Sequence, residues 1–135
     1  MINTHLGLFA PERLPQVDAL LGPEWLGRHD CRAPLILLGD FNAGPLSRTY
    51  RCLTSKFRDA QCLPQLARRQ ATFPAHAPFR CIDHVFVNHH IEVFAASVIR
   101  TPLARVASDH LPLVIDFQIA GLTECATEGE HLGAC

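Results

Sequence analysis

In Leu35-Ile36-Leu37-Leu38-Gly39-Asp40-Phe41-Asn42-Ala43-Gly44, a continuous apolar run stops at a glycine, a carboxylate and an amide. The large aliphatic residues behind Pro34 predict a strand that is buried on both faces and ends near Gly39. Because side chains alternate along an extended segment, Asp40 and Asn42 should point the same way. The same residue types are also common in a plain turn. This stretch alone therefore leaves a turn and a polar site open.

The composition describes one folded unit. The chain has 135 residues, of which 48% are hydrophobic and 19% charged, as expected for a globular core rather than a disordered segment. We expect a domain over residues 1–119 and a flexible tail over 120–135, where large apolar residues are scarce.

The charge and hydropathy patterns exclude some classes of function. The net charge of -1 gives no broad basic field for clamping long nucleic acid. No apolar run approaches the roughly 20 residues of a membrane span, so we expect a cytoplasmic protein without a membrane span. The six cysteines are widely spaced and form no CxxC pair, which argues against a disulfide scaffold and a structural zinc site.

Apolar periodicity predicts an alternating α/β chain. The pattern indicates strands near 2–6, 35–38, 81–87, 91–99 and 113–117, and helices near 11–27 and 47–53. Asn88-His89-His90 predicts a hairpin between the two strands that flank it. The proline-rich segment between Cys62 and Cys81 predicts a long surface loop, and its residues 64–80 are expected to lie on the substrate side, Arg68 and Arg69 among them.

Three acid-containing clusters lie at or near predicted strands: Asp40 with Asn42, Asp83 alone, and Asp109 with His110. Grouped at one end of a sheet, these carboxylates would repel one another without a cation, which points to a hard metal such as Mg²⁺. A metal, a carboxylate that activates water and nearby donors together suit phosphoester hydrolysis. A lone histidine such as His5 is more often structural than catalytic.

Four motifs carry a family resemblance in the order Asn3-Thr4-His5-Leu6, Gly39-Asp40-Phe41-Asn42, Ile82-Asp83-His84-Val85-Phe86-Val87 and Ser108-Asp109-His110-Leu111-Pro112. Together they resemble the endonuclease/exonuclease/phosphatase (DNase I-like) family. The resemblance implies an α/β fold, here a partial four-layer α/β/β/α sandwich with mixed sheets. It also implies a Mg²⁺-dependent hydrolase of phosphodiesters or phosphomonoesters, with Mn²⁺ as a possible substitute ion.

The resemblance also implies a role for each matching residue. Asp40 would orient or deprotonate the attacking water and bind the metal, and Asn42 would donate to the scissile phosphate. His110 would contact the phosphate or move a proton, with Asp83 accepting from its other ring nitrogen. His5 would be a second histidine on the phosphate side, and Asp109 would belong to the metal site. The alternation of the strand places His84 on the face opposite Asp83, where we expect it to pack.

The matched motifs correspond to the carboxyl-terminal half of a family domain. Members are usually about twice this length, and their amino-terminal half supplies an Asn and a metal-binding Glu that this chain does not contain. We therefore expect a truncated hydrolase with an exposed sheet face, which favours a homo-oligomer or a complementing chain. The alternative is a non-catalytic remnant or association module that retains the fold. Nucleic acid, lipid and sugar phosphate all remain open as substrates.

Overall fold

The computed structural model describes residues 1–27, 33–63 and 69–121. It has the mixed α/β architecture that the sequence predicts. In chain order the elements are β1 (Ile2–His5), α1 (Ala10–Leu21), β2 (Ile36–Asp40), α2 (Arg48–Thr54), β3 (Arg58–Asp59), a short 3₁₀ helix (Ala60–Cys62), β4 (Asp83–Val87), β5 (Ile91–Val98), α3 (Pro102–Ala107) and β6 (Leu113–Ile119).

Strand β2 lies inside a four-stranded mixed sheet of order β1-β2-β4-β3. It pairs in parallel with β1 and antiparallel with β4, where Leu37 lies opposite Phe86. The continuous aliphatic run in the sequence is explained by this position, since both faces of the strand are covered. A second sheet consists of β5 and β6.

The two faces of the four-stranded sheet meet different neighbours. Leu37 and Phe86 share a buried cluster with Val17 of α1 and Leu53 of α2, so the helices cover this face. On the other face, residues of β2 and β4 pack with residues of β5 and β6, among them Ile36, Val85, Val87, Ile91 and Val93. The chain therefore forms successive layers of helices, one sheet and a second sheet.

The predicted hairpin at Asn88-His89-His90 is wrong, because this turn crosses from one sheet to the other. Strand β4 pairs with β2 and β3, whereas β5 pairs with β6. The Asn88 side chain accepts from the Leu35 N–H at 3.2 Å and donates to the Ala33 carbonyl at 2.9 Å. These bonds tie the turn to the start of β2, and burial of Ile91 and Val93 directs β5 onto the opposing sheet.

Some boundaries also differ from the sequence prediction. Helix α1 ends at Leu21, six residues before the predicted end. The N–H of Gly22, the residue that caps this end, donates to the Ala19 carbonyl. Helix α3 was not predicted, and it starts where the Thr101 hydroxyl accepts from the Ala104 N–H at 3.1 Å. Residues 122–135 of the predicted tail lie outside the described residues. Across the described ranges, no helix combines the length and apolar character needed to cross a bilayer.

The contact between β1 and β2 requires a glycine at position 39. Gly39 has φ +139°, and a Cβ added there would lie 1.8 Å from the Thr4 carbonyl oxygen across the strand pair. A side chain would therefore force β1 away from β2, besides occupying a backbone region that L-residues avoid.

We expect Gly39→Ala to lower the free energy of unfolding by about 3 kcal/mol, because backbone strain and a steric clash add at one position. The matched control is Gly44→Ala, where the nearest atom would lie 4.0 Å from the new Cβ. Urea unfolding followed by circular dichroism measures both variants. Similar midpoints for the two variants would contradict the close approach of β1 to Gly39.

Candidate active site

The strand register brings three polar residues into one row across the four-stranded sheet, at the end where β1 and β2 finish and β4 begins. His5, the last residue of β1, lies opposite Asp40, the last residue of β2. Asp40 in turn lies opposite Asp83, the first residue of β4. Residues far apart in the sequence therefore meet because the aliphatic runs fix the pairing of their strands.

A tight turn directly after β2 holds Asn42. Its backbone has φ +48°, a conformation that Asn tolerates better than most residues, and its N–H donates to Asp40 Oδ1 at 2.8 Å. The Asn42 Nδ2 group donates to the Leu6 carbonyl at 2.9 Å and lies 3.2 Å from His5 Nε2. Because the His5 side chain is 72% exposed, the contact with His5 is the one that a ligand can displace.

Asp83 and His110 form a hydrogen-bonded pair at this edge. The His110 Nδ1–H donates to Asp83 Oδ2 at 2.8 Å, and the Thr72 hydroxyl donates to the same oxygen at 2.5 Å. The carboxylate thereby fixes the proton on Nδ1 and directs Nε2 toward Asp40 Oδ2, which lies 3.9 Å away. The predicted partnership of Asp83 with His110 is present in the structure.

The surroundings of His110 favour its charged form. Burial by itself lowers the pKa of the imidazole, but the hydrogen bond to Asp83 and the charges of Asp83, Asp40 and Asp109 outweigh it. The net effect raises the pKa of His110 above its ordinary value. A larger fraction of this side chain is therefore protonated near neutral pH than for a free histidine.

Asp40, Asp83 and His110 are close enough to share a cation, since one ligand atom from each lies within 4.8 Å of the others. Asp83 Oδ2 already accepts two hydrogen bonds, whereas His5 Nε2 lies 3.4 Å from Asp40 Oδ2. Carboxylate oxygen is the donor that Mg²⁺ and Mn²⁺ prefer. The donor set thus fits a hard divalent ion, with Asp40 as the carboxylate best able to bind it.

Asp109 is not among the residues whose ligand atoms lie within 4.8 Å of one another. Its side chain is exposed and accepts a 3.4 Å hydrogen bond from the neighbouring Ser108 hydroxyl. Its carbonyl accepts from the Ala75 N–H at 2.6 Å, which fixes the loop before His110. The metal-binding role of Asp109 stays a prediction.

The loop before β4 contributes two contacts that the sequence did not predict. Thr72 donates to Asp83, and the Phe73 ring packs against His110 with centroids 4.7 Å apart. The sequence gives no sign of these contacts, because they depend on the path by which the loop returns to β4. Arg69, predicted on the substrate side, pairs with the buried Asp59 at 2.9 Å, and its place relative to substrate stays a prediction. Arg68 lies outside the described residues.

This chain is similar to a known protein family and to several solved structures. The model of the endonuclease/exonuclease/phosphatase family matches residues 6–110. A conserved protein of unknown function from Enterococcus faecalis is 26% identical, with a TM-score of 0.73 over 87% of this chain and 48% of that chain. No curated protein sequence matches.

Two further solved structures show the same fold. A mannosyl-6-phosphatase from Bacteroides thetaiotaomicron is 24% identical, with a TM-score of 0.71 over 87% of this chain and 50% of that chain. The human Nocturnin catalytic domain with bound sulfate is 24% identical, with a TM-score of 0.63 over 87% of this chain and 46% of that chain. This chain thus spans about half the length of these relatives. From the family match over most of its length, the chain belongs to the endonuclease/exonuclease/phosphatase family.

Proposed function

We propose that this chain provides the catalytic residues of a divalent-metal-dependent phosphoester hydrolase. The observation that carries the proposal is the Asp83–His110 pair, bonded at 2.8 Å, beside the Asp40 carboxylate. A histidine oriented by one carboxylate and facing another is suited to proton transfer at a site that also binds a cation. Membership of the family supports the same reaction class.

Each residue has a distinct role in this proposal. Asp40 orients the attacking water through Oδ2, the oxygen left available by the bond between Oδ1 and the Asn42 N–H. His110, protonated on Nδ1 toward Asp83, uses Nε2 to donate to a phosphoryl oxygen or to transfer a proton. Asn42 and His5 donate to the phosphate after their mutual contact opens.

The metal in this proposal is Mg²⁺, with Mn²⁺ as a substitute. Asp40 would hold it, together with Asp109 as the resemblance implies. When bound, the ion stabilises negative charge on the phosphoryl oxygens. The described carboxylates supply too few ligands for the six oxygens that Mg²⁺ takes, so water and substrate would complete its coordination.

The substrate is a phosphomonoester or phosphodiester of a sugar, lipid or nucleic acid. The similarity to a mannosyl-6-phosphatase supports a sugar phosphate, and the similarity to the sulfate-bound Nocturnin domain supports an anion site. We further propose that residues 1–119 are the carboxyl-terminal part of a four-layer domain and that the protein acts in the cytoplasm.

A non-catalytic association module is the second candidate. A cleft of about 160 Å³ opens between the two sheets, and Met1 and Phe117 line it together with Leu38 and Leu113. Met1 is 88% exposed and Phe117 is 44% exposed. Apolar side chains at the mouth of a cleft favour association with another copy or a complementing chain.

We expect the purified chain to hydrolyse bis-p-nitrophenyl phosphate with Mg²⁺ or Mn²⁺ and to lose this activity in EDTA. Asp40→Ala should lower the rate by about 100-fold or more, because it removes the group that orients water. Asp116→Asn is the matched control, since this carboxylate is exposed on β6. Absence of metal-dependent turnover from folded protein would favour the association module.

The raised pKa of His110 predicts a pH-dependent stability. Its charged form stabilises the fold fully below the unfolded pKa of about 6.5, and this stabilisation is lost as pH rises through the folded pKa. The wild-type chain should therefore exceed Asp83→Asn in stability by more at pH 6 than at pH 9. Urea unfolding at both pH values measures the difference, and a gap that widens with pH would contradict the assignment.

We expect the chain to self-associate at tens of micromolar, because the intersheet cleft leaves apolar side chains exposed. Phe117→Ser should shift the population toward monomer. Phe79→Ser is the control, since Phe79 is 75% exposed but lies outside this cleft. Light scattering measures the mass of each variant, and a monomeric wild-type chain would refute the association.

A further inference from the structure

We infer that His84 and Asp59, two buried residues outside the catalytic row, position the turn that carries Asp40 and Asn42. The sequence predicted only a packing role for His84 and no role for Asp59. The catalytic consequence of this inference rests on the proposed function. The control of the turn by His84 and Asp59 is a structural statement that does not depend on the proposed function.

His84 links the core to the turn. It is 1% exposed, and its Nε2 lies 2.8 Å from the carbonyl oxygen of Ala43, the residue after Asn42. Its Nδ1 lies 3.4 Å from Asp59 Oδ2. A carbonyl only accepts hydrogen bonds, so Nε2 donates to Ala43, whereas Nδ1 is buried against the Asp59 carboxylate without forming a hydrogen bond. His84 therefore attaches a peptide carbonyl of the turn to a buried negative charge.

Asp59 is itself held in place from three elements. Its Oδ2 accepts from the Tyr50 hydroxyl of α2 and from Arg69 Nη2, each at 2.9 Å, and its Oδ1 accepts from the Gln61 N–H at 2.9 Å. Burial raises the pKa of this carboxyl, but its contact with His84 and the hydrogen bonds from Gln61 and Tyr50 lower it below its usual range. Asp59 is thus an ionised anchor.

Aromatic rings fix the orientation of His84. Its ring lies 5.0 Å from Tyr50, 5.4 Å from Phe86 and 5.8 Å from Phe41, measured between centroids. A ring packed on three sides has few alternative rotamers, so its Nε2 stays directed at Ala43.

The turn has the shape that this anchoring requires. Asn42 has φ +48°, and in this tight conformation its N–H donates to Asp40 Oδ1. On the other side, the Phe41 N–H donates to the Ile82 carbonyl at 2.9 Å. Loss of the bond to the Ala43 carbonyl would free the turn at one end, and the Asn42 amide would lose its fixed contact with Asp40. His84 and Asp59 are thus positioning residues, since neither is among the groups that would contact substrate.

Native-state hydrogen exchange tests this inference without any need for turnover. In Asp59→Asn, the Asn42 amide should exchange about tenfold faster than the change in global stability explains, because the anchor of His84 loses its charge. Val93→Ala is the matched control, since Val93 is buried between the two sheets. Urea unfolding should show that both variants are less stable than the wild-type chain. Only Asp59→Asn should accelerate hydrogen exchange at the Asn42 amide beyond that loss of global stability.

Equal acceleration in the two variants, after correction for global stability, would overturn the inference. Should Asp59→Asn fail to fold, Tyr50→Phe removes one donor to the same carboxylate and should accelerate exchange at Asn42 by about threefold. In an active preparation, either variant should lower kcat for bis-p-nitrophenyl phosphate with little change in KM. If the wild-type chain shows no turnover but Asp59→Asn still accelerates exchange at Asn42, the proposed function is contradicted and the positioning role is supported.

Discussion

The pairing register of β1, β2 and β4 is the constraint on which the site depends. It aligns His5, Asp40 and Asp83 at one sheet edge, although 35 and 43 residues separate successive members along the chain. A slip of one residue would turn these side chains to the other face and would also remove Leu37 from its buried cluster with Val17, Leu53 and Phe86. The same burial that stabilises the sheet therefore assembles the polar row.

Loops add further groups to this row of strand residues. His110 arrives from the segment after α3 and is held by Asp83, while Phe73 covers its ring. The Leu111 N–H donates to the Thr72 carbonyl at 2.9 Å, which joins the two loops. Behind the row, His84 and Asp59 extend the polar network into the core. The Asp83–His110 pair and the Asp40–Asn42 turn are consequently supported from both sides of the site before any ligand binds.

The sequence predicted those parts of the structure that depend on alternation and burial. The aliphatic run before Gly39 identified β2, and the alternation of β4 placed His84 on the face opposite Asp83, where it is buried. The crossing at Asn88 was not predicted, because turn residues do not specify which sheet the next strand joins. The contacts of Thr72 and Phe73 were also missed, since they depend on a loop whose path no local pattern specifies.

The orientation of His110 by Asp83, with Nε2 facing Asp40, underlies the proposed activity. The most direct measurement is long-range ¹H–¹⁵N correlation NMR of the His110 ring in the wild-type chain and in Asp83→Asn. We expect a proton bound to Nδ1 throughout the titration of His110, with its resonance shifted to low field by the Asp83 carboxylate, and we expect that shift to be lost in Asp83→Asn. A neutral ring with its proton on Nε2, or spectra that Asp83→Asn leaves unchanged, would contradict this orientation.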